Sequence, residues 1–167
     1  MVKLCRAEFN RCADEMSRRT AWRKVTCGDL FQRDREWLEG VHHVPPSTFT
    51  DKGGTSVTVK YYIFYSDLRQ VAELCFSTSS QLDEQEMARM FPKLDFSTGS
   101  AISHLQPLVS PQFREEVHSF LWTIHSCDFD VFLGLSDAAT GDSMDGVLST
   151  FIRGVNHFVP FPAHLLP

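Results

Sequence analysis

Two neighbouring runs of β-branched and aromatic residues, separated by a short polar break, constrain the fold of this chain more than any other feature. The runs extend from Val57 to Tyr65 and from Val71 to Thr78, and the break covers Ser66 to Gln70. Such residues favour strands, and a break of this length returns the chain antiparallel to the first strand. The sequence therefore predicts a β-hairpin.

Four aromatic residues stand close together in the first run: Tyr61, Tyr62, Phe64 and Tyr65. Successive strand residues face opposite sides, so these rings cannot all share one face. One set is expected to pack inside the domain. The other set either packs as ordinary strand residues or contacts a partner protein.

The residues before the hairpin predict a helix, strands and a loop. From Lys3 to about Arg19, apolar or small side chains recur every three or four positions, which is typical of an amphipathic helix. Trp22 to Gly40 mixes apolar and charged residues at roughly alternate positions and predicts one or two partly buried strands. The prolines and glycines between about Val44 and Ser56 support neither period, which indicates a loop.

A short helix and a third strand are predicted after the hairpin. Asp83 is suited to cap a helix that runs to about Phe91, before Pro92. A linker is expected from there to about Val109. The apolar run from His118 to Ile124 predicts a strand that leads into His-Ser-Cys-Asp.

The last part of the chain predicts buried residues and a closing helix. The buried pattern continues from Phe129 to Leu135, and apolar residues stand at helical spacing from Gly141 to Phe158. Either Asp142 or Ser143 is suited to cap this helix, and the proline-rich tail from Pro160 ends it. With 43% hydrophobic residues and no internal repeat, the chain is expected to form a single α+β domain over residues 1–167.

Charge and composition argue against several classes of function. The 21 acidic and 16 basic residues are spread without a basic patch, so a nucleic-acid partner is not expected. No apolar run approaches the roughly 18 residues of a membrane helix, and charges occupy the stretch where a signal peptide is apolar. We therefore expect a soluble, unsecreted, cytoplasmic protein without a transmembrane segment.

The cysteines show neither disulfide-framework spacing nor a CxxC pair, which favours reduced thiols. They are Cys5, Cys12, Cys27, Cys75 and Cys127. His42 and His43 have no matching pair of metal ligands, so no metal or other cofactor is predicted.

Cys127 is the best-placed candidate nucleophile, because a thiol just past a strand end can be exposed enough to react. His125 could order the loop or supply positive potential. Asp128 could cap the following turn, although a carboxylate beside the thiol opposes thiolate formation. The alternative is that Cys127 is a small buried hydrophobe, the commoner role of a free cysteine.

Two types of thiol chemistry are compatible with such a residue. A cysteine protease needs a histidine base, and none of the histidines has the local spacing of a protease family. The candidates for that base are His104, His118, His125 and His157. Thioester transfer needs less, since the bond is already activated and the incoming amine requires alignment more than a strong base. The loop backbone, His125 or Thr123 could then donate a hydrogen bond to the oxyanion.

Three segments carry a resemblance to a known family: VKYYIFYSDLRQVAELCF, HSFLWTIHSCDFDVFL and VLSTFIRGVNHFVPF. In order and spacing they resemble the autophagy-related protein ten family, whose members are ubiquitin-conjugating-like enzymes. The family pattern is a hairpin with a Tyr-Ser turn, an aromatic strand leading into His-Pro-Cys, and a closing helix with an apolar face. The resemblance covers most of the chain from Val57 onward.

The resemblance implies a ubiquitin-conjugating-enzyme-like fold: an N-terminal helix, an antiparallel meander, a reactive-cysteine loop and a C-terminal helix. It also implies that Cys127 accepts the modifier autophagy-related protein twelve as a thioester from an activating enzyme, autophagy-related protein seven. The modifier would pass to a lysine of autophagy-related protein five. The alternative is a non-catalytic ubiquitin-conjugating-like scaffold that binds conjugation-pathway proteins, with Cys127 incidental.

This chain departs from the family pattern in one place. His-Pro-Cys is His125-Ser126-Cys127 here, so the φ that proline would fix before the nucleophile is free. Ordinary ubiquitin-conjugating enzymes carry an asparagine just upstream of the cysteine, whereas the asparagines here are Asn10 and Asn156. The related lipid-conjugating family, autophagy-related protein three, has long insertions that this short chain lacks.

Overall fold

One antiparallel sheet and three α-helices make up the part of the chain that the structure, a computed structural model, describes: residues 4–28, 35–45, 56–96, 106–124 and 146–167. The strands are β1 (Arg23–Thr26), β2 (Glu36–Val44), β3 (Val57–Ser66), β4 (Val71–Thr78), β5 (Val109–Arg114) and β6 (Ser119–Ile124). The helices are α1 (Arg6–Arg19), α2 (Glu84–Met90) and α3 (Val147–Val155). The strand order is β1-β2-β3-β4-β6-β5, which confirms the predicted α+β class. No helix within these ranges is long and apolar enough to cross a membrane.

The predicted hairpin is confirmed as β3 and β4. Its register pairs Ser66 with Val71 at the turn and Val59 with Thr78 at the far end. Gln70 has a φ of 60°, the left-handed conformation that closes the turn. The N-terminal segment packs here, because the Tyr65 hydroxyl donates to the Leu4 carbonyl oxygen at 2.7 Å.

The predicted first helix is also confirmed, and its apolar stripe is the buried one. Phe9, Cys12, Ala13 and Met16 are buried against the sheet. Lys24 of β1 joins this helix to the sheet, since its ammonium lies 2.5 Å from a carboxylate oxygen of Asp14 and 3.0 Å from one of Glu36. The segment predicted as one or two strands forms two, β1 and β2, and the second continues to Val44.

The sheet buries apolar residues on both faces. The first face packs against α1 and α3 and includes Tyr61 and Tyr65. The second face holds a separate cluster: Trp37, Tyr62, Phe64, Cys75 and Leu121. The alternation predicted for the four aromatics is confirmed, but the suggestion that one set meets a partner is wrong, because Tyr62 and Phe64 are also buried.

The helix predicted after the hairpin is α2, and its cap is the predicted one. A carboxylate oxygen of Asp83 accepts from the Glu86 backbone N–H at 2.8 Å. The C-terminal helix begins at Val147, with Gly146 at its N-cap position, and ends at Val155, three residues before the predicted end. Asp142 and Ser143 lie outside the described residues, as does the run from Phe129 to Leu135.

The tail after α3 packs across the start of the sheet. The Trp22 indole N–H donates to the Leu165 carbonyl oxygen at 2.8 Å, and Leu165 itself is fully buried. Gly40 permits this contact, since a Cβ there would lie 2.8 Å from a methyl of Leu165 and 2.9 Å from the Trp22 ring. The His164 ring lies 3.1 Å from the Val41 carbonyl oxygen.

The sequence assigned residues up to Val109 to a linker and missed β5. This strand pairs with β6 from Val109 opposite Ile124 to Arg114 opposite Ser119. It lies at the edge of the described sheet, so most of its side chains are exposed or half-buried. Pro111 is tolerated there because an edge strand has one side without ladder hydrogen bonds.

The β5–β6 hairpin turns over the second face of the sheet. Within the described ranges, two register pairs join β6 to β4: Cys75 with Thr123 and Phe76 with Trp122. Beyond them the hairpin leaves β4, and Val117 of its turn packs against the second apolar cluster. The far end of the hairpin therefore covers part of that cluster.

Candidate functional site

The predicted nucleophile Cys127 and its neighbours His125 and Asp128 lie outside the described residues, so their roles stay predictions. The structure does define where the chain enters this segment, because β6 ends at the fully buried Ile124. Successive Cα atoms are about 3.8 Å apart, so three peptide units extend at most about 11 Å from Ile124. The strand end therefore limits where the thiol can be.

Thr123 was one predicted donor to the oxyanion, and that prediction is wrong for its side chain. Thr123 is 3% exposed and lies opposite Cys75, a member of the second apolar cluster. Its hydroxyl oxygen lies 3.2 Å from the Cys75 sulfur. Since this hydroxyl is already bonded inside the sheet, an oxyanion would have to be bound by other groups.

Two of the other cysteines are too buried to carry a modifier. Cys12 lies on the buried face of α1, and Cys75 is fully buried in the second cluster. Burial raises the pKa of the Cys75 thiol to about 11, against a smaller opposing effect of the nearby Arg114. At neutral pH this thiol is protonated and shielded, which removes it as a nucleophile.

Cys5 and Cys27 are more accessible. Cys5 is exposed at the N-cap of α1, where its backbone N–H donates to a Glu8 carboxylate oxygen at 2.7 Å. Cys27 is half-buried just after β1. Among the described cysteines, Cys5 is therefore the one whose thiol is most open to reaction and the main control for Cys127.

Of the histidines proposed for a protease, His118 lies far from the end of β6. His118 precedes β6, at the opposite end from Ile124, and six residues of strand span about 20 Å. His157 is exposed in the turn after α3. His104 lies outside the described residues, as does His125.

His42 and His43 occupy different environments on β2. The His43 Nδ1 lies 3.0 Å from the Thr58 hydroxyl oxygen. Burial is the main cause that lowers the pKa of His42, and the nearby His164 and His43 lower it further.

Within the described ranges no three His, Cys, Asp or Glu side chains converge to hold a metal ion.

A largely shielded ion pair joins the β5–β6 hairpin to β4, and sequence reasoning missed it. The Arg114 guanidinium donates to a Glu73 carboxylate oxygen at 2.7 Å and lies 5.2 Å from the centre of the Phe64 ring. The sequence held one signal for it. Glu73 is the single charge in the otherwise apolar start of β4, and a buried charge needs a partner.

An open groove marks the place where β6 leaves β4. Its volume is about 680 Å³, and residues 77–83 line one side. Phe120 and Trp122 line the other side. Phe120 is 69% exposed and packs edge-to-face on Phe113, which is also exposed.

No protein-family profile matches this chain, and no curated protein matches it by sequence. Among solved structures, it is similar to the crystal structure of the autophagic E2 Atg10. The TM-score is 0.50 and the identity 13%, over 95% of this chain and 96% of that chain. At that identity the likeness establishes the fold, which is the one expected from the family resemblance.

Proposed function

We propose that this chain is a ubiquitin-like-conjugating enzyme of autophagy. It accepts the modifier autophagy-related protein twelve on Cys127 from the activating enzyme, autophagy-related protein seven, and transfers it to a lysine of autophagy-related protein five. The observation that carries this proposal is the fold shared with the autophagic E2 Atg10 over nearly the whole chain. In this proposal residues 1–167 act as one domain in the cytoplasm, where thiols stay reduced.

The position of Cys127 in the sequence supports the choice of nucleophile. It follows β6 by three residues, and β6 is held in the sheet by its pairing with both β4 and β5. Cys12 and Cys75 are not alternative nucleophiles, because both are buried. A thiol three residues past a strand that is paired on both sides is close to a fixed part of the fold, which favours the alignment that thioester transfer requires.

The chemistry consists of two exchanges at one carbonyl carbon. The Cys127 thiolate attacks the modifier's C-terminal glycine carbonyl, and the activating enzyme's sulfur leaves as a thiolate. The uncharged amine of the acceptor lysine then attacks the same carbon, the bond to Cys127 breaks, and the amine loses a proton as the isopeptide bond forms. No oxidant or metal enters either step.

The loop residues assist this chemistry by position. His125 orders the loop before the thiol, and backbone N–H groups or the His125 ring donate to the oxyanion of each tetrahedral intermediate. Neither asparagine serves instead: Asn10 lies in α1, and the side-chain oxygen of Asn156 accepts from the Phe161 backbone N–H at 2.9 Å.

The test is a charging reaction with the activating enzyme, the modifier and ATP, separated on gels with and without reductant. The wild-type chain is expected to give an adduct that reductant removes. Cys127→Ser is expected to give either no adduct or a reductant-resistant oxygen ester. Cys5→Ser, the matched control, keeps the labile adduct.

Two outcomes contradict the proposal. A labile adduct that survives in Cys127→Ser and disappears in Cys5→Ser would move the thioester to the exposed thiol of α1. Complete absence of an adduct with active components would instead support the non-catalytic scaffold.

A further inference from the structure

The junction between β4 and β6 holds a buried polar contact, and the Arg114 guanidinium is close to its sulfur atom. The Thr123 hydroxyl and the Cys75 sulfur lie 3.2 Å apart, and both residues are buried. Cys75 belongs to the second cluster with Phe64 and Leu121. Burying a hydroxyl in such a place is unfavourable unless it is bonded, so the pair fixes which residues of the two strands lie opposite each other.

Among the described strands, β4 and β6 share the fewest register pairs, and this contact lies between them. β3 and β4 share eight register pairs, from Val59–Thr78 to Ser66–Val71, whereas the described residues of β4 and β6 share two. One of these two is Cys75 with Thr123. With so few ladder hydrogen bonds, a side-chain bond has more influence on the strand position than it has elsewhere in the sheet.

The same contact is close in sequence to the proposed nucleophile. Thr123 precedes Cys127 by four residues, which extend at most about 15 Å. Any shift of Thr123 across or along the sheet is passed on to the start of the segment that contains Cys127. A displacement of about 1 Å at a reacting group can cost up to about a hundredfold in rate.

We propose that Thr123, held by Cys75, is a positioning residue that sets where the Cys127 thiol meets the incoming thioester. The inference rests on the proposed function. Thr123 touches neither the modifier nor the reacting atoms, and it acts through the position of β6. Its hydroxyl, rather than its shape, carries this role.

A pair of substitutions separates the hydroxyl from the shape. Thr123→Val keeps the branched shape and the strand preference but removes the hydroxyl. Thr123→Ser keeps the hydroxyl but loses the methyl group and the strand preference. Packing alone predicts that Val is tolerated better than Ser, whereas positioning by the hydroxyl predicts the opposite order in the rate of charging.

The measurement is single-turnover charging by the activating enzyme loaded with modifier, over a range of concentrations. For Thr123→Val we expect the maximal rate to fall about tenfold, with the half-saturating concentration changed less than twofold, because the docking surface is intact. Thr123→Ser is expected to stay within about twofold of wild type in rate, even where its thermal midpoint is the lower of the two.

Two further variants keep the test decisive. Ile152→Val removes a buried methylene from α3 and controls for a general loss of stability, so its maximal rate is expected to equal that of wild type. If Thr123→Val does not fold, Cys75→Ala removes the other partner and is expected to slow charging at least threefold.

The possible results distinguish the two proposals. A wild-type chain that never forms a labile adduct overturns the proposed function, and the inference with it. A wild-type chain that charges while Thr123→Val charges equally fast, or faster than Thr123→Ser, overturns the positioning role alone. A rate loss shared by Ile152→Val also overturns it.

Discussion

The ion pair between Glu73 and Arg114 should stabilise the fold measurably, because both side chains are shielded from water. Their exposed fractions are 10% and 14%, and the donor–acceptor distance is 2.7 Å. Breaking a fully buried pair costs about 3–5 kcal/mol, and a surface pair contributes about 0–1 kcal/mol. We expect Glu73→Gln to lower the free energy of unfolding by about 2–3 kcal/mol, since the amide still accepts one weaker hydrogen bond.

That loss is large compared with the total stability of a domain, which is about 5–15 kcal/mol. For a chain of this size it corresponds to a fall in thermal midpoint of about 4–12 °C. Urea unfolding of wild type, Glu73→Gln, Arg114→Met and the double variant forms a double-mutant cycle. The coupling energy is expected to be about 1.5–3 kcal/mol, because removing either partner leaves the other charge largely shielded from water without its nearest counter-charge.

Arg69 supplies the matched control for this cycle. Its guanidinium lies 3.8 Å from the other Glu73 carboxylate oxygen, and its side chain is 49% exposed. The coupling of Arg69→Met to Glu73→Gln should stay under about 0.5 kcal/mol. Equal coupling for both arginines, or a loss below about 0.5 kcal/mol for Glu73→Gln, would refute the idea that this pair fastens the β5–β6 hairpin.

Three other predictions follow from single sites. Gly40→Ala should lower the free energy of unfolding by about 1–3 kcal/mol in urea, since its Cβ meets two buried side chains. Gly28→Ala, whose Cβ meets nothing within 4 Å, should lower it far less. In the native protein at pH 8, iodoacetamide should label the exposed Cys5 but not the buried Cys75, whose pKa is about 11. Peptide mass spectrometry measures the labelling of each cysteine, and equal labelling rates would contradict the burial of Cys75. Burial lowers the pKa of His42, so the unfolded chain binds that proton first. The stability that depends on neutral His42 should be fully present above about pH 6.5 and should be lost as the pH falls through the lower pKa of the folded state. His42→Gln should flatten this pH dependence of the free energy of unfolding.

Local patterns in the sequence predict the elements whose apolar side chains or capping residues recur at regular spacing. The first helix, the β3–β4 hairpin and the Asp83 cap are all confirmed, because each is specified by neighbouring residues. β5 was missed for the opposite reason. It is an edge strand with a proline and with side chains that are mostly exposed or half-buried, so neither its hydrophobicity nor its period differs from that of a linker.

The second apolar face could not be deduced from the hairpin alone. Alternation predicts that Tyr61 and Tyr62 face opposite sides, but it does not predict whether each side is covered. The covering hairpin comes from residues far along the chain, and its attachment depends on the long-range pair of Glu73 and Arg114. A lone charge inside an apolar strand indicates that such a partner exists without identifying it.

The same distinction applies to the candidate site. The position of Cys127 after a strand is a local property, and sequence reasoning found that strand correctly as β6. What Thr123 does is not local, because its hydroxyl is bonded to Cys75, which lies 48 positions earlier in the chain. Sequence proximity suggested Thr123 as a donor to the oxyanion, whereas the fold turns that side chain into the sheet. In the proposed mechanism Thr123 therefore acts on Cys127 through the backbone, and this role differs from oxyanion binding in which substitutions at Thr123 would keep the rate of charging.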